Sequence, residues 1–142
     1  MQIKQTTTLT SPIYQDALAI RKAVFIDEQK VPQSREIEHE AGPIYFVGYL
    51  DAKPAVCARA LLENENTWHI QRVACLKEFR RQGLAKKLLQ YIEQKAKENK
   101  LAYLTLGAQD QAQGFYLSLG YHVVGAGFLD AGINHHRMDK KI

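Results

Sequence analysis

Apolar positions along the chain change their spacing several times, and each change marks an element. Residues 2–8 form a short threonine-rich stretch with strand character. Ser11-Pro12 then opens a helix, with serine as the N-cap and proline at the first helical position. Ile13, Ala17, Ile20 and Val24 line one face of that helix, and Val31-Pro32 ends it. Residues 33–42 read as acidic and irregular, with Glu36, Glu38, His39 and Glu40 in a tight cluster. Strand-like runs follow at residues 44–50, 55–62 and 68–76, joined by two polar turns short enough for hairpins. At Gly83 the period switches to helical, and Leu84, Ala85, Leu88, Leu89, Ile92 and Ala96 recur along a helix over residues 83–99.

Residues 101–106 read as a buried strand, which makes a strand, helix, strand crossover with parallel pairing. A shorter helix covers residues 111–119, with Gly120 as its C-cap. Two last strands cover residues 121–125 and 133–140, separated by a glycine-rich turn. The expectation is an α/β fold with a mixed, mainly antiparallel sheet of about six to seven strands flanked by helices. No repeat, low-complexity tract or linker divides the chain, so residues 1–142 read as one domain.

The run Arg80-Arg81-Gln82-Gly83-Leu84-Ala85 carries the first chemical signal. A helix N-terminus leaves backbone N–H groups unpaired and concentrates positive dipole density. Glycine and alanine in that turn let a diphosphate approach the amides, and two arginines add charge that does not titrate away. These parts make an anion cradle. Composition agrees with an anionic ligand, since the formal net charge is +4. Nucleic acid would satisfy that charge, but the basic residues are scattered and aromatics are not interleaved with them. Hydrophobic content of 46% and charged content of 24% are ordinary for a globular domain. No apolar stretch reaches bilayer-spanning length, and the N-terminus lacks a secretory signal, so the cytosol is the expected compartment. Cys57 and Cys75 lie in apolar strand-like runs, away from C-x-x-C spacing, and read as reduced core thiols. His135-His136 are strand neighbours that point to opposite faces, a poor chelate, so no metal is expected.

Two further runs extend the pattern. Ala112-Gln113-Gly114-Phe115-Tyr116-Leu117-Ser118-Leu119-Gly120-Tyr121 is a Phe-Tyr helix ending at glycine before a new strand. Near the N-terminus stands Arg21-Lys22-Ala23-Val24-Phe25-Ile26-Asp27-Glu28-Gln29-Lys30-Val31-Pro32. In this order the three runs resemble the GNAT superfamily of N-acetyltransferases, and the last is similar to the first helix of the small bacterial ElaA-type and YjcF-type members. Arg80, Gly83 and Ala85 fill the fixed places of that family's Gln/Arg-x-x-Gly-x-Gly/Ala pyrophosphate motif.

The resemblance implies direct acetyl transfer from acetyl-coenzyme A to a primary amine of a small molecule, peptide or protein. It assigns the pyrophosphate to the amides of Arg81, Gln82, Gly83, Leu84 and Ala85, with the Arg80 and Arg81 side chains assisting. The main chain of Val73, Ala74 and Cys75 would meet the pantetheine arm and the thioester oxygen. Tyr116 matches the tyrosine that protonates the departing sulfur, while Phe115 reads as core. Gln109 or Gln111 would stand in for a pantetheine-contacting asparagine. Glu36, Glu38 and His39, with Glu40, fall in the family's variable substrate-binding loop, where a solvated acidic loop is the other reading. His69 lies at even spacing from Val73 and Cys75, which would put all three on one sheet face, and offers a base titrating near neutrality. A structural histidine is the alternative. A non-catalytic acyl-coenzyme A sensor and a small basic nucleic-acid-binding domain are the competing functions. A monomer or a homodimer fits the sequence equally, and the acceptor amine stays unidentified.

Overall fold

A computed structural model describes residues 1–142. Strand β1 (Gln2–Thr6) leads to helix α1 (Pro12–Arg21), which starts where the sequence predicts. The Ser11 hydroxyl oxygen accepts the Ile13 N–H at 3.1 Å, and Pro12 fills the first turn, where a missing N–H costs nothing. The helix then widens over Lys22–Glu28 into a π-helical stretch, closed by Gln29 N–H to Val24 O at 3.1 Å. Such wide turns are rare and tend to sit at functional sites. A four-residue helical turn, α2 (Gln33–Glu36), follows in the segment expected to be irregular.

Three antiparallel strands come next: β2 (Ile44–Leu50), β3 (Lys53–Asn64) and β4 (Thr67–Cys75). Helix α3 (Leu84–Glu98) crosses to β5 (Tyr103–Gln109), and helix α4 (Gln113–Ser118) leads to β6 (His122–Asp130) and β7 (Ile133–Lys141). The seven strands order as β1-β2-β3-β4-β5-β7-β6, and only β4 and β5 run parallel. The mixed, mainly antiparallel sheet expected from the sequence is therefore the sheet observed. The glycine-rich stretch near the C-terminus is not a turn, however. Gly125 and Gly127 lie inside β6, where the register against β7 shifts between Val124 and Phe128, and the reversal is made by Ala131-Gly132. No helix is long and apolar enough to cross a membrane.

Both faces of the central strands β2, β3 and β4 are covered. Tyr14, Ala17, Ile20 and Val24 of the first helical arm pack on Tyr45, Val47, Tyr49, Cys57 and Ala74. On the other face Leu84, Leu88, Leu89, Ile92 and Ala96 of α3 meet Phe46, Val56, Ala60, Trp68, Ile70, Leu104 and Leu106. Period-two alternation along the strands feeds both cores, as the sequence pattern requires.

One residue breaks the apolar stripe of α1. Arg21 is 1% exposed, and its guanidinium is matched by carboxylates from the following loop. Its Nε lies 2.8 Å from Glu36 Oε1 and its Nη1 2.6 Å from Glu40 Oε1. Arg59 of β3 adds Nη1 to Glu40 Oε2 at 2.8 Å, and Arg72 of β4 adds Nε to Glu36 Oε2 at 3.2 Å. Tyr14 also donates its hydroxyl to Glu40 at 2.9 Å. The acidic segment is thus pinned to the sheet by buried charge. Glu36 and Glu40 have their carboxylates taken by protein arginines, whereas Glu38 and His39 stay exposed. Burial pushes the Glu40 carboxyl up, but hydrogen bonding and charge from Arg21, with Tyr14 and Arg59, outweigh it and hold the group down at about 2.

Replacing Glu40 by glutamine leaves Arg21 and Arg59 without a shared counter-charge and should destabilise the fold by about 3 kcal/mol at neutral pH. Because the folded carboxyl titrates below its unfolded value, its stabilisation is complete above the unfolded pKa of about 4.3 and disappears as pH falls towards the folded value. Urea unfolding of wild type and Glu40→Gln across that window should show the gap between them closing. A gap that stays constant down to acid pH would mean that the ionised Glu40 contributes nothing.

Candidate active site

Strands β4 and β5 pair only over Thr67–Ile70 against Tyr103–Leu106. Beyond that point they separate, while β5 stays zipped to β7 as far as Gln109. The β5-facing backbone groups of β4 past Ile70 therefore have no neighbouring strand. A cavity of about 620 Å³ occupies the wedge, lined by Val73, Ala74 and Cys75 on one side and by Gly107, Ala108 and Gln109 on the other. Its lining places the expected pantetheine-binding backbone against open space.

A bulge at Arg72 sets which side chains face which way. Cys57 is opposite Ala74 and Arg59 opposite Gln71, so two β4 residues face one on β3, and Arg72 takes a left-handed φ of 57°. The extra residue reverses the alternation. Val73 and Cys75 pack towards the α3 core, with Trp68 and Ile70, while Ala74 packs towards α1. His69 therefore does not share a face with Val73 and Cys75, contrary to the spacing argument, which assumed an unbroken strand. It lies on the α1 face and lines the cavity, its Nδ1 3.8 Å from Glu63 Oε1 and its backbone in register with Thr105, where β4 and β5 are still zipped together. Burial lowers its pKa, with Glu63 opposing, so the ring is neutral at physiological pH.

At the outer end of the wedge the chain turns into α3. Arg81 and Gly83 both take positive φ, 66° and 74°. Gly83 is the N-cap, no side chain caps the helix, and its first turn holds no acidic residue. The leading N–H groups of α3 are consequently left without partners, which is the condition an anion would satisfy. The two arginines separate in role. Arg80 is tied to Glu28 on the π-helical stretch at 2.7 and 3.0 Å and donates Nε–H to the Cys75 carbonyl at 2.9 Å. Arg81 is exposed and makes no ion pair, and Gln82 and Gly83 beside it are exposed as well.

Tyr116 of α4 reaches the cavity from the α3 side. Its ring stands edge-on to Phe115 and Tyr121 at 5.0 and 5.8 Å. Burial raises its pKa, its hydroxyl makes no hydrogen bond within the protein, and that oxygen is not sealed from solvent. Phe115, expected in the core, is 36% exposed. Gln109 donates its amide N–H to Gln29 Oε1 at 2.9 Å, linking the end of β5 to the π-helical stretch, and accepts from Gln111 at 2.8 Å. Burial pushes the Cys57 thiol up to about 12 and raises Cys75 as well, so neither is a thiolate at neutral pH.

Several residues around the cavity escaped the sequence reading. Arg59 and Arg72 line it while pairing with Glu40 and Glu36, and Arg35 of α2 bonds Asp130 at the β6–β7 hairpin at 3.1 Å, across the cavity mouth. Charged residues inside apolar runs, Arg21 on the helix stripe and Arg59 in the 55–62 strand, were the available signal. Phe128 and His135 join from the C-terminal hairpin, and a side chain at Gly107 would meet the Phe128 ring at 3.2 Å. His136 faces the opposite way and bonds Asp110 at 2.7 Å.

Known proteins share this architecture. The model of the acetyltransferase (GNAT) domain matches residues 10–142. A Bacillus subtilis (strain 168) protein named as the uncharacterized N-acetyltransferase YjcF is 34% identical over 127 residues, covering 88% of this chain and 90% of its own. An acyl-CoA N-acyltransferase from Pseudomonas aeruginosa superimposes with a TM-score of 0.86 at 24% identity, covering 98% of both chains. A GNAT family acetyltransferase from Elizabethkingia anophelis, solved with acetyl-CoA bound, superimposes with a TM-score of 0.69 at 15% identity over 99% of this chain and 97% of its own. With that coverage, a sheet split between its two parallel strands and an uncapped helix at the mouth of the split, the chain belongs to the GNAT acetyltransferase family.

Proposed function

We propose that the protein transfers an acetyl group from acetyl-coenzyme A directly to a primary amine of a small molecule, peptide or protein. The observation that carries this reading is the continuity of the wedge. It reaches from Arg80, in the loop just ahead of the uncapped N-terminus of α3, past a stretch of β4 with no strand beside it, to Tyr116 with its unbonded hydroxyl. A ligand filling it needs an anionic end, an extended arm with amide-like groups, and a reactive group near the phenol. Acetyl-coenzyme A has these in that order.

The backbone of Arg81, Gln82, Gly83, Leu84 and Ala85 holds the diphosphate, and the unpaired Arg81 adds charge. Arg80 acts through the loop it secures, because its guanidinium is committed to Glu28 and to the Cys75 carbonyl. Residues 73–75 offer main-chain groups to the pantetheine arm, and Gln109 offers its amide from the facing strand. Burial keeps the Tyr116 phenol protonated across the physiological range. As the carbon–sulfur bond breaks, its hydroxyl stabilises the negative charge growing on sulfur. The raised thiol of Cys75 favours direct transfer over an acyl-cysteine. Glu38 and His39, exposed on the pinned segment at the cavity rim, are placed to meet a cationic acceptor, whereas Glu36 holds that segment in position.

Coenzyme A should raise the melting temperature of the wild type, since a ligand of the native state stabilises it by mass action, whereas random-sequence DNA or RNA should not. Gly83→Asn tolerates the left-handed backbone but adds bulk at the cradle, so the unliganded Tm should change little while coenzyme A binding weakens by about tenfold or more in calorimetry. Unchanged affinity would remove the cradle from the reading.

Tyr116→Phe retains the ring and its two edge contacts and removes only the hydroxyl. Turnover with a surrogate amine should drop by about 10²-fold, at the lower end for general acids because a thiolate leaves readily, while acetyl-coenzyme A affinity holds. Wild-type turnover with chemistry rate-limiting would reduce Tyr116 to a packing residue.

A further inference from the structure

The wedge has a second face, and on it stands a histidine that the transfer reaction has not yet used. His135 of β7 pairs in register with Gln109, the last residue of β5. Met138 of β7 points to the α3 core, so alternation places Arg137 and His135 on the α1 face and His136 on the α3 face. Tyr116 belongs to the α3-side core. Phenol and imidazole therefore line one cavity from opposite faces of the split sheet, at the end where the strands have parted.

The ring is fixed in orientation and in proton position. His135 Nδ1 lies 2.7 Å from the Ile133 carbonyl oxygen, and a carbonyl only accepts, so Nδ1 carries a hydrogen. In the neutral ring Nε2 then holds the lone pair. Nε2 has no hydrogen-bond partner in the protein, yet it is not sealed from solvent, and the residue is only 8% exposed. Phe128 stacks on the ring at 5.7 Å with a 22° interplanar angle, which shields one side and holds the other nitrogen towards the cavity. His69 lines the same cavity, but no carbonyl fixes its tautomer and no ring stacks on it: its Nδ1 lies 3.8 Å from Glu63, where the strands are still paired.

We infer that His135 is the general base that removes a proton from the acceptor amine. The inference rests on the transferase reading given above. An alkylamine arrives as an ammonium ion, and Nε2 takes one proton to free the nitrogen lone pair. The nitrogen then forms its bond to the thioester carbonyl carbon and sheds a second proton to solvent as the amide forms. The carbon–sulfur bond breaks with its electron pair on sulfur, which takes the Tyr116 proton, and the phenol regains one from solvent. His135 releases its proton to solvent, so one net proton leaves per turnover. The approach lies between Asp130 of β6, Arg35 and Glu36 of the pinned segment and Arg72 of β4, all of which line the same cavity. Arg35 is paired with Asp130, and Arg72 with Glu36, which Arg21 also grips, while Asp110 is the further carboxylate whose charge reaches His135.

Two acceptors of similar shape and opposite basicity test this. Benzylamine is an ammonium ion at neutral pH, whereas aniline is already unprotonated. His135→Asn keeps a side-chain N–H for Ile133 and removes Nε2. With acetyl-coenzyme A saturating, turnover of benzylamine should fall by about 10²-fold or more, while that of aniline stays within about threefold of wild type. Equal loss with both amines, no loss with either, or selective loss in His69→Asn instead would overturn the assignment while leaving the transferase reading intact. A wild type that binds acetyl-coenzyme A but acetylates neither amine would overturn both. Independently, ring nitrogen-15 shifts should show the neutral His135 protonated at Nδ1, and the opposite tautomer would overturn the proposal without reference to turnover.

Discussion

The site depends on a sheet that is left unfinished between its only two parallel strands. β4 and β5 share four register pairs and then part, while each remains bonded to its outer neighbour. Backbone groups removed from a ladder must find other partners, and an extended molecule with amide groups is a natural substitute strand. The uncapped start of α3 lies at the mouth of the same gap, so one ligand can satisfy both deficits. The glycine-alanine turn, the bulge at Arg72 and the two facing aromatic residues acquire their meaning from that opening.

The gap is held at its shape by charge. Arg21, Arg59 and Arg72 grip Glu36 and Glu40, and through them the whole segment that walls the cavity. A buried ion cluster of this sort adds little net stability over an apolar equivalent, but it is intolerant of losing a member. Its contribution is therefore positional. Arg80 does the same from the other side, joining the loop before α3 to the π-helical stretch, and Gln109 reaches that stretch from β5. The widened helix becomes a common anchor for both walls.

Much of this was legible in the order of residues. The cap at Ser11-Pro12, the β2 run, the α3 stripe and the switch at Gly83 are local signals, and the structure follows them. What could not be read is what depends on non-local pairing. Counting in twos along β4 put His69 beside Val73 and Cys75, because nothing in the run announces that Arg72 adopts a left-handed conformation opposite β3. The acidic loop read as either substrate-binding or solvated, and not as pinned, because its arginine partners are distant in sequence, and Arg21 and Arg59 were absorbed into apolar runs. His135 was weighed only as half of a metal pair, since its tautomer is set by a carbonyl two residues away that has no sequence signature.

The shift inside β6 carries a consequence beyond the site. β6 is the outermost strand, exposed along its whole length, with Val123, Val124, Phe128 and Leu129 open to water. A straight, apolar outer strand invites another chain to add itself by backbone pairing. Gly125 at a φ of 79° and the break in register between Val124 and Phe128 split that margin into two short pieces that no single extended strand can match. The irregularity that brings Phe128 over Gly107 thus also makes the outer margin a poor template for edge-to-edge pairing with another strand.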